Sequence, residues 1–277
     1  MYNGLLRGAT TILITKKQFQ FFQAEGYLRL GKTLYGEELK QVMIRIEDIM
    51  LGRRIYPGMF FQHEKGSATS FSGPSLKYRK IKDLEYDPIL LSYFQNPIFK
   101  QLAVNYVGPN VSIMRAMLMN KPAEGGDILP YHQDISIDWE MTIPPFFTIW
   151  TAIDAAKIEN GCLELVPRSH LHGRLDRGHI LSQLTQERIL LPDSSIYIEL
   201  EPGESIVFHN ATLHRSGVNH TKLPRRGLTL CLMDAKTLHK KTGRSYPILF
   251  GENALTPEWV NSLIRIPSPV YSEPETY

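Results

Sequence analysis

Cysteine is scarce, with Cys162 and Cys231 the only two in 277 residues. Two cannot build a disulfide framework, and their spacing matches no zinc motif. A reducing, cytoplasmic compartment is the expectation. No apolar run approaches the ~20 residues that a membrane-spanning helix needs, so no membrane partner is expected. The opening stretch has a short apolar segment but neither a charged leader nor a small-residue cleavage site, which speaks against a secretory signal. Charge of one sign is lacking too: 31 Lys and Arg stand against 28 Asp and Glu, a formal net charge of +3. The basic residues are scattered, with local clusters only at 77–82 and 239–244. A nucleic-acid partner would require a concentrated basic face and is not expected. Repeats and low-complexity tracts are absent. At 43% hydrophobic and 21% charged, the chain cannot be disordered, collagen-like or a coiled coil.

At this length one large domain over 1–277 is expected, with enough buried surface to need no staples. Residues 15–110 read as a mostly helical layer by apolar spacing and cap chemistry. Thr15-Lys-Lys-Gln18 is a capping-box pattern, and Gly26 a stop. Leu39, Val42, Met43, Ile46 and Ile49 keep helical spacing over 37–50, closed by Gly52. Asp87-Pro88 and Asn96-Pro97 each look like an N-cap followed by proline at the first helical position. From Val111 to about 235 the pattern turns to short β-rich runs, at 111–119, 146–153, 162–166, 195–200, 205–208 and 227–233, divided by turn residues. Short strands separated by loops point to a β-sandwich or jelly roll, not an alternating α/β sheet. Residues 236–277 form an extension whose last part, 267–277, is rich in Pro, Ser and Glu and is expected to be mobile.

The chemistry centres on Tyr131-His132-Gln133-Asp134. In a strand, residues i and i+2 share a face, so His132 and Asp134 would project together. His214 is the third candidate. Two imidazoles and one carboxylate hold one face of a ferrous ion and leave positions free on the other. Arg225, on the next expected strand, would pair its guanidinium with the far carboxylate of an anionic bidentate ligand, and Ser216 would add a hydroxyl. Taken alone, these residues also allow a hydrogen-bonded His–Asp pair, a zinc hydrolase or a jelly-roll binding protein. The first alternative enzyme lacks an H-E-x-x-H helix here.

Longer motifs surround these residues. Met117-Leu-Met-Asn-Lys-Pro122, His132-Gln-Asp134, Trp150-Thr-Ala-Ile-Asp154, Asn160-Gly-Cys-Leu163 and Pro167-Arg-Ser-His170 occur in that order. Gly203-Glu-Ser-Ile-Val-Phe-His-Asn210, His214-Arg-Ser-Gly-Val-Asn219 and Arg225 follow. Together, from about residue 15 to 235, they resemble the phytanoyl-CoA dioxygenase family. The resemblance implies a double-stranded β-helix (jelly roll, cupin-like) and a non-haem iron, 2-oxoglutarate-dependent dioxygenase. It implies Fe(II) on His132, Asp134 and His214, and 2-oxoglutarate on Arg225 and Ser216. Trp150 would line that pocket, Lys80 would reach the co-substrate, and Met117 would offer backbone contacts. Gly203-Glu204 replaces the family's usual Gly-Asp, and Pro167-Arg168-Ser its usual Pro-Gly-Ser.

With dioxygen, such a site releases succinate and CO₂ and oxidises an unactivated C–H bond. Because Asp134 supplies the carboxylate that halogenating members lack, hydroxylation is the expected outcome. The segments expected to cover the open side are 121–131, 135–147 and 171–194. Gln133, Trp139, Phe146 and Arg215 are the candidate substrate contacts. A small organic or natural-product substrate is the first expectation, with a fatty acyl-CoA 2-hydroxylase or an inactive binding protein as alternatives.

Overall fold

A computed structural model describes residues 14–56, 58–63 and 70–263. The expected mobile tail lies outside them. The four anticipated helices form, three of them where their caps place them. Thr15 and Gln18 complete the capping box of α1 (Lys16–Glu25), and Gly26 ends it at φ 79. Gly26 cannot be replaced without strain, since its φ is left-handed and a Cβ would strike the His170 ring. The amphipathic α2 spans Gly36–Met50. Asp87 accepts from the N–H groups of Ile89 and Leu90 to start α3 (Pro88–Phe94). Asn96 accepts from Ile98 to start α4 (Pro97–Tyr106). Each has proline in its first turn, where the missing N–H costs nothing.

The layer is not wholly helical. Three strands run through it: β1 (Tyr27–Lys32), β2 (Phe60–His63) and β3 (Tyr78–Lys82). All three join the large sheet. Its order is β1, β9 (Glu204–His209), β6 (Phe147–Ala152), β11 (Arg225–Asp234), β4 (Val111–Lys121), β3, β2; β12 (Ile248–Phe250) also pairs with β4. A smaller sheet has the order β5 (Leu129–His132), β10 (Leu213–Ser216), β7 (Leu163–Val166), β8 (Ile196–Ile198). Every pairing between named strands is antiparallel. The two sheets make the jelly-roll sandwich expected from the strand spacing.

Strand parity divides the core in two. Outward-facing Ile149, Leu118, Leu228, Leu230 and Val207 pack under Val42, Ile46, Leu91 and Phe99 of the helices. Inward-facing Trp150, Ala152, Ile206 and Phe208 meet Leu163, Leu165 and Ile198 of the small sheet. The helices therefore cover one face of the large sheet and leave the space between the sheets for the site. A buried hydroxyl cluster ties the layers: Tyr93 Oη lies 2.9 Å from Thr33 Oγ1 and 2.7 Å from Thr151 Oγ1. Beyond residue 235, β12 and α6 (Pro257–Leu263) pack back onto β4 and α3. No helix among the described residues is long and apolar enough to cross a membrane.

Candidate active site

His132 is the last residue of β5 and sits opposite His214 of β10, with the ring centroids 4.0 Å apart. Asp134 lies just past the strand end, where its N–H donates to Asn210 O at 2.7 Å. One donor atom from each of the three residues falls within 4.8 Å of the others, and all three residues are buried. Each histidine donates its Nδ1–H to a backbone carbonyl: His132 to Pro130 at 2.8 Å and His214 to Thr212 at 3.0 Å. That leaves both Nε2 atoms unprotonated, the tautomer a metal requires.

Electrostatics agree with that tautomer. Burial, then the His214 ring, push His132 down to about 3, and burial also lowers His214, so both imidazoles are neutral. Burial alone would raise Asp134. The Arg115 guanidinium paired with it more than offsets that and holds the carboxyl well below the usual range. Two neutral nitrogens and one carboxylate fit a divalent transition metal that keeps positions for other ligands.

From this trio a cavity of about 430 Å³, its open mouth included, runs between the sheets to Arg225, past Met117, Trp150, Thr229 and Ser216. Arg225, the first residue of β11, is buried, and its Nε has no hydrogen-bond partner. Its guanidinium lies 5.4 Å from the Trp150 ring centroid, and burial lowers it to about 10. Trp150 owes its place to Gly227: a Cβ there would fall 2.2 Å from the indole Cζ2. A dicarboxylic acid bound at the trio would meet a buried cation at the other end.

Lys80 stands elsewhere. On β3 it sits opposite Met119, and its charged neighbours are Arg79, Lys82, Arg115 and Asp134. Burial and the three cations lower it to about 8. It faces the carboxylate ligand's side of the site, not Arg225.

Of the four candidate substrate contacts, the structure brings one to the site. Trp139 lies 5.2 Å from the Arg115 guanidinium and 5.8 Å from the His179 ring, which itself stands beside His132. The other three need correction. Gln133 donates to Gly173 O at 2.8 Å and Ala211 O at 2.7 Å and accepts from Leu175 N–H at 2.9 Å, so its amide is consumed in holding the backbone. Arg215 points to the opposite face of the small sheet, where it pairs with Glu164 at 2.7 Å and lies over Tyr131. Phe146 stacks on Tyr106 and belongs to the helix-side core.

Sequence reasoning also missed groups that the structure supplies. Arg115 pairs with Asp134 Oδ1. Thr148 Oγ1 lies 2.9 Å from Asp134 Oδ2 and 2.7 Å from Asn210 Oδ1, and its single hydrogen serves one of these acceptors at a time. Asn210 Nδ2 then donates to Cys231 Sγ at 3.2 Å. One signal was available: Arg115 stands two residues before Met117 and therefore shares its inward face.

The phytanoyl-CoA dioxygenase (PhyH) family model matches residues 22–227. The chain belongs to the phytanoyl-CoA dioxygenase family. Membership brings the enzyme class with it, a non-haem iron, 2-oxoglutarate-dependent oxygenase. A probable phytanoyl-CoA dioxygenase of Caenorhabditis elegans is 27% identical over 232 residues, covering 78% of this chain and 74% of that protein. The peroxisomal phytanoyl-CoA dioxygenase of Rattus norvegicus is 25% identical over 229 residues, covering 78% and 68%. Among solved structures, EctD from S. alaskensis with bound Fe superposes with a TM-score of 0.67 at 17% identity, covering 82% of this chain and 79% of that one. The non-heme alpha-ketoglutarate-dependent carbocyclase SnoK from nogalamycin biosynthesis gives 0.64 at 18% identity, covering 82% and 87%. These structural likenesses establish the double-stranded β-helix.

Proposed function

We propose that the protein oxidises, by hydroxylation, an unactivated C–H bond of a small organic or natural-product substrate, with His132, Asp134 and His214 as the iron ligands. The observation that carries this reading is one cavity with a metal-type trio at one end and a buried, unsatisfied guanidinium at the other. Bound iron, 2-oxoglutarate and dioxygen supply the oxidising power, with succinate and CO₂ as co-products.

The chain's own groups do the rest. Arg225 and Ser216 hold the distal carboxylate of 2-oxoglutarate, and a buried guanidinium whose Nε has no hydrogen-bond partner gains most from that pairing. Trp150, Met117 and Phe208 wall the slot and exclude water from the metal. The Nδ1–H bonds of the two histidines fix their rings so that binding requires no reorientation. Lys80, on the open side, adds positive potential for the carboxylate end of the co-substrate. Trp139 and His179 stand where substrate would enter.

The test is an anaerobic titration of metal-free protein with Fe(II) and 2-oxoglutarate, followed by the visible metal-to-ligand charge-transfer band. A band in the wild type that is lost in Arg225→Ala at moderate 2-oxoglutarate is expected. Folded protein that binds iron yet shows no band would overturn the reading. The curated relatives named phytanoyl-CoA dioxygenase favour a second substrate class, fatty acyl-CoA hydroxylated at C2. Succinate release with acyl-CoA thioesters against small organic acids and alcohols separates the two.

A further inference from the structure

We propose that Arg115 is a positioning residue that leaves Asp134 only one oxygen to offer a metal, and so sets how many positions that metal keeps open. The inference rests on the reading of His132, Asp134 and His214 as metal ligands.

The two carboxylate oxygens of Asp134 have different surroundings. Oδ1 is ion-paired with Arg115 Nη2. Oδ2 lies 4.0 Å from His214 Nε2 and accepts from Thr148 Oγ1 at 2.9 Å. Only Oδ2 therefore faces the imidazoles. The arrangement is held from both sides, by Arg115 on one oxygen and by Thr148 on the other, while the Asp134 N–H is fixed on Asn210 O.

The guanidinium is equally constrained. Arg115 sits mid-strand on β4, opposite Cys231 of β11, and lies against the Trp139 ring on its other side. Bringing Oδ1 onto a metal would break a charge-assisted bond to a buried carboxylate and leave a partly buried cation unpaired.

The consequence is a count. On a six-coordinate ion, two imidazole nitrogens and one carboxylate oxygen leave about three positions open. A carboxylate that chelates with both oxygens leaves about two. A keto acid chelating through two atoms and a dioxygen molecule need three. Arg115 thus guards the third position without touching substrate or co-substrate. Trp139, against its guanidinium, belongs to the segment over the open side, so the positioning group is braced by the part of the chain that substrate meets first.

The probe is Mn(II) alone, with bound waters counted by water-proton relaxation in protein free of 2-oxoglutarate. The wild type should hold about three waters. Arg115→Met and Arg115→Gln remove the cation and should each hold about two, while Arg115→Lys returns toward three. A role in packing alone would lower the melting temperature and leave the water count unchanged. A count of about three in folded R115M or R115Q overturns the inference. Failure of the wild type to bind Mn(II) would instead overturn the ligand reading on which it rests.

Discussion

A guanidinium buried without a paired counter-ion loses its hydration and gains little in return, and Arg225 is held in this way. Its guanidinium lies against the face of Trp150, with Asp154 the nearby opposite charge. The ligand-free protein therefore carries a cost at this residue that a bound dicarboxylate removes. Arg225→Met should stabilise the ligand-free protein by on the order of 1 kcal/mol net of the lost ring contact, read as a higher melting temperature. The same variant should lose the upward shift that 2-oxoglutarate gives the metal-loaded wild type. A variant that melts lower and still shifts with 2-oxoglutarate would show that the cation has an internal role instead. At this scale His132, Asp134, His214 and Arg225 were legible because strand parity and order along the chain bring them together. The same alternation of side chains along the extended chain excludes Gln133 and Arg215, each one residue from a candidate ligand, and applying it there would have turned both away from the site. Gln133 instead holds the loop at 173–175, and Arg215 is paired with Glu164.

Trp150 on β6 and Gly227 on β11 show how neighbouring strands build the slot between them. The indole lies over the glycine, and a methyl group at 227 would meet Cζ2 and Cε2 at 2.2 and 2.5 Å. Those ring atoms are part of a buried side chain that cannot swing freely, so the indole must move, and Arg225 stacks on it. Gly227→Ala should weaken 2-oxoglutarate binding by tenfold or more, a loss of about 1.4 kcal/mol or greater, with the metal site intact. Calorimetric titration of Mn(II) and then of 2-oxoglutarate checks both halves; equal 2-oxoglutarate affinity in the two proteins would mean that the indole is not a wall of the slot. The strands missed in the sequence have a related cause. On β3, Lys80 and Lys82 occupy inward positions, opposite Met119 and Met117, so the apolar alternation that marks a strand is reversed where the face lines a polar site. β5 is four residues long and includes Pro130 and the candidate ligand His132. The helices were legible because their signals are local: caps and prolines for α1, α3 and α4, and apolar spacing for α2. Strands that border the site carry the site's chemistry in place of the pattern.

Across the whole molecule, a half-buried histidine and a buried carboxyl give stability opposite dependences on pH. His209 is pushed down to about 4 by burial and by His170, from an ordinary value of 6.5. Between those values the unfolded chain binds more protons, so the contribution of His209 is complete above pH 6.5 and is lost as pH falls toward 4. Glu85, under β4 in the short turn that leads into α3, behaves in the opposite sense. Its Oε2 is buried without a partner, and burial, with Asp83 adding to it, raises the carboxyl from 4.5 to about 8. Between those values the folded protein binds more protons, so stability falls as pH rises from about 4.5 and levels off above about 8. Tyr56 and the Asp87–Arg45 pair also lie near this turn, and neither supplies a hydrogen bond to Oε2. Glu85→Gln separates the two dependences, because glutamine does not titrate while His209 is common to both proteins. Whatever the amide costs by itself is the same at every pH. The difference in melting temperature, variant minus wild type, should therefore grow more positive from pH 5 to pH 9, whatever its sign at pH 5. A difference that stays flat across that range would mean that the Glu85 carboxyl reaches water or a donor when it ionises, and the descent of wild-type stability toward alkaline pH would then need another source.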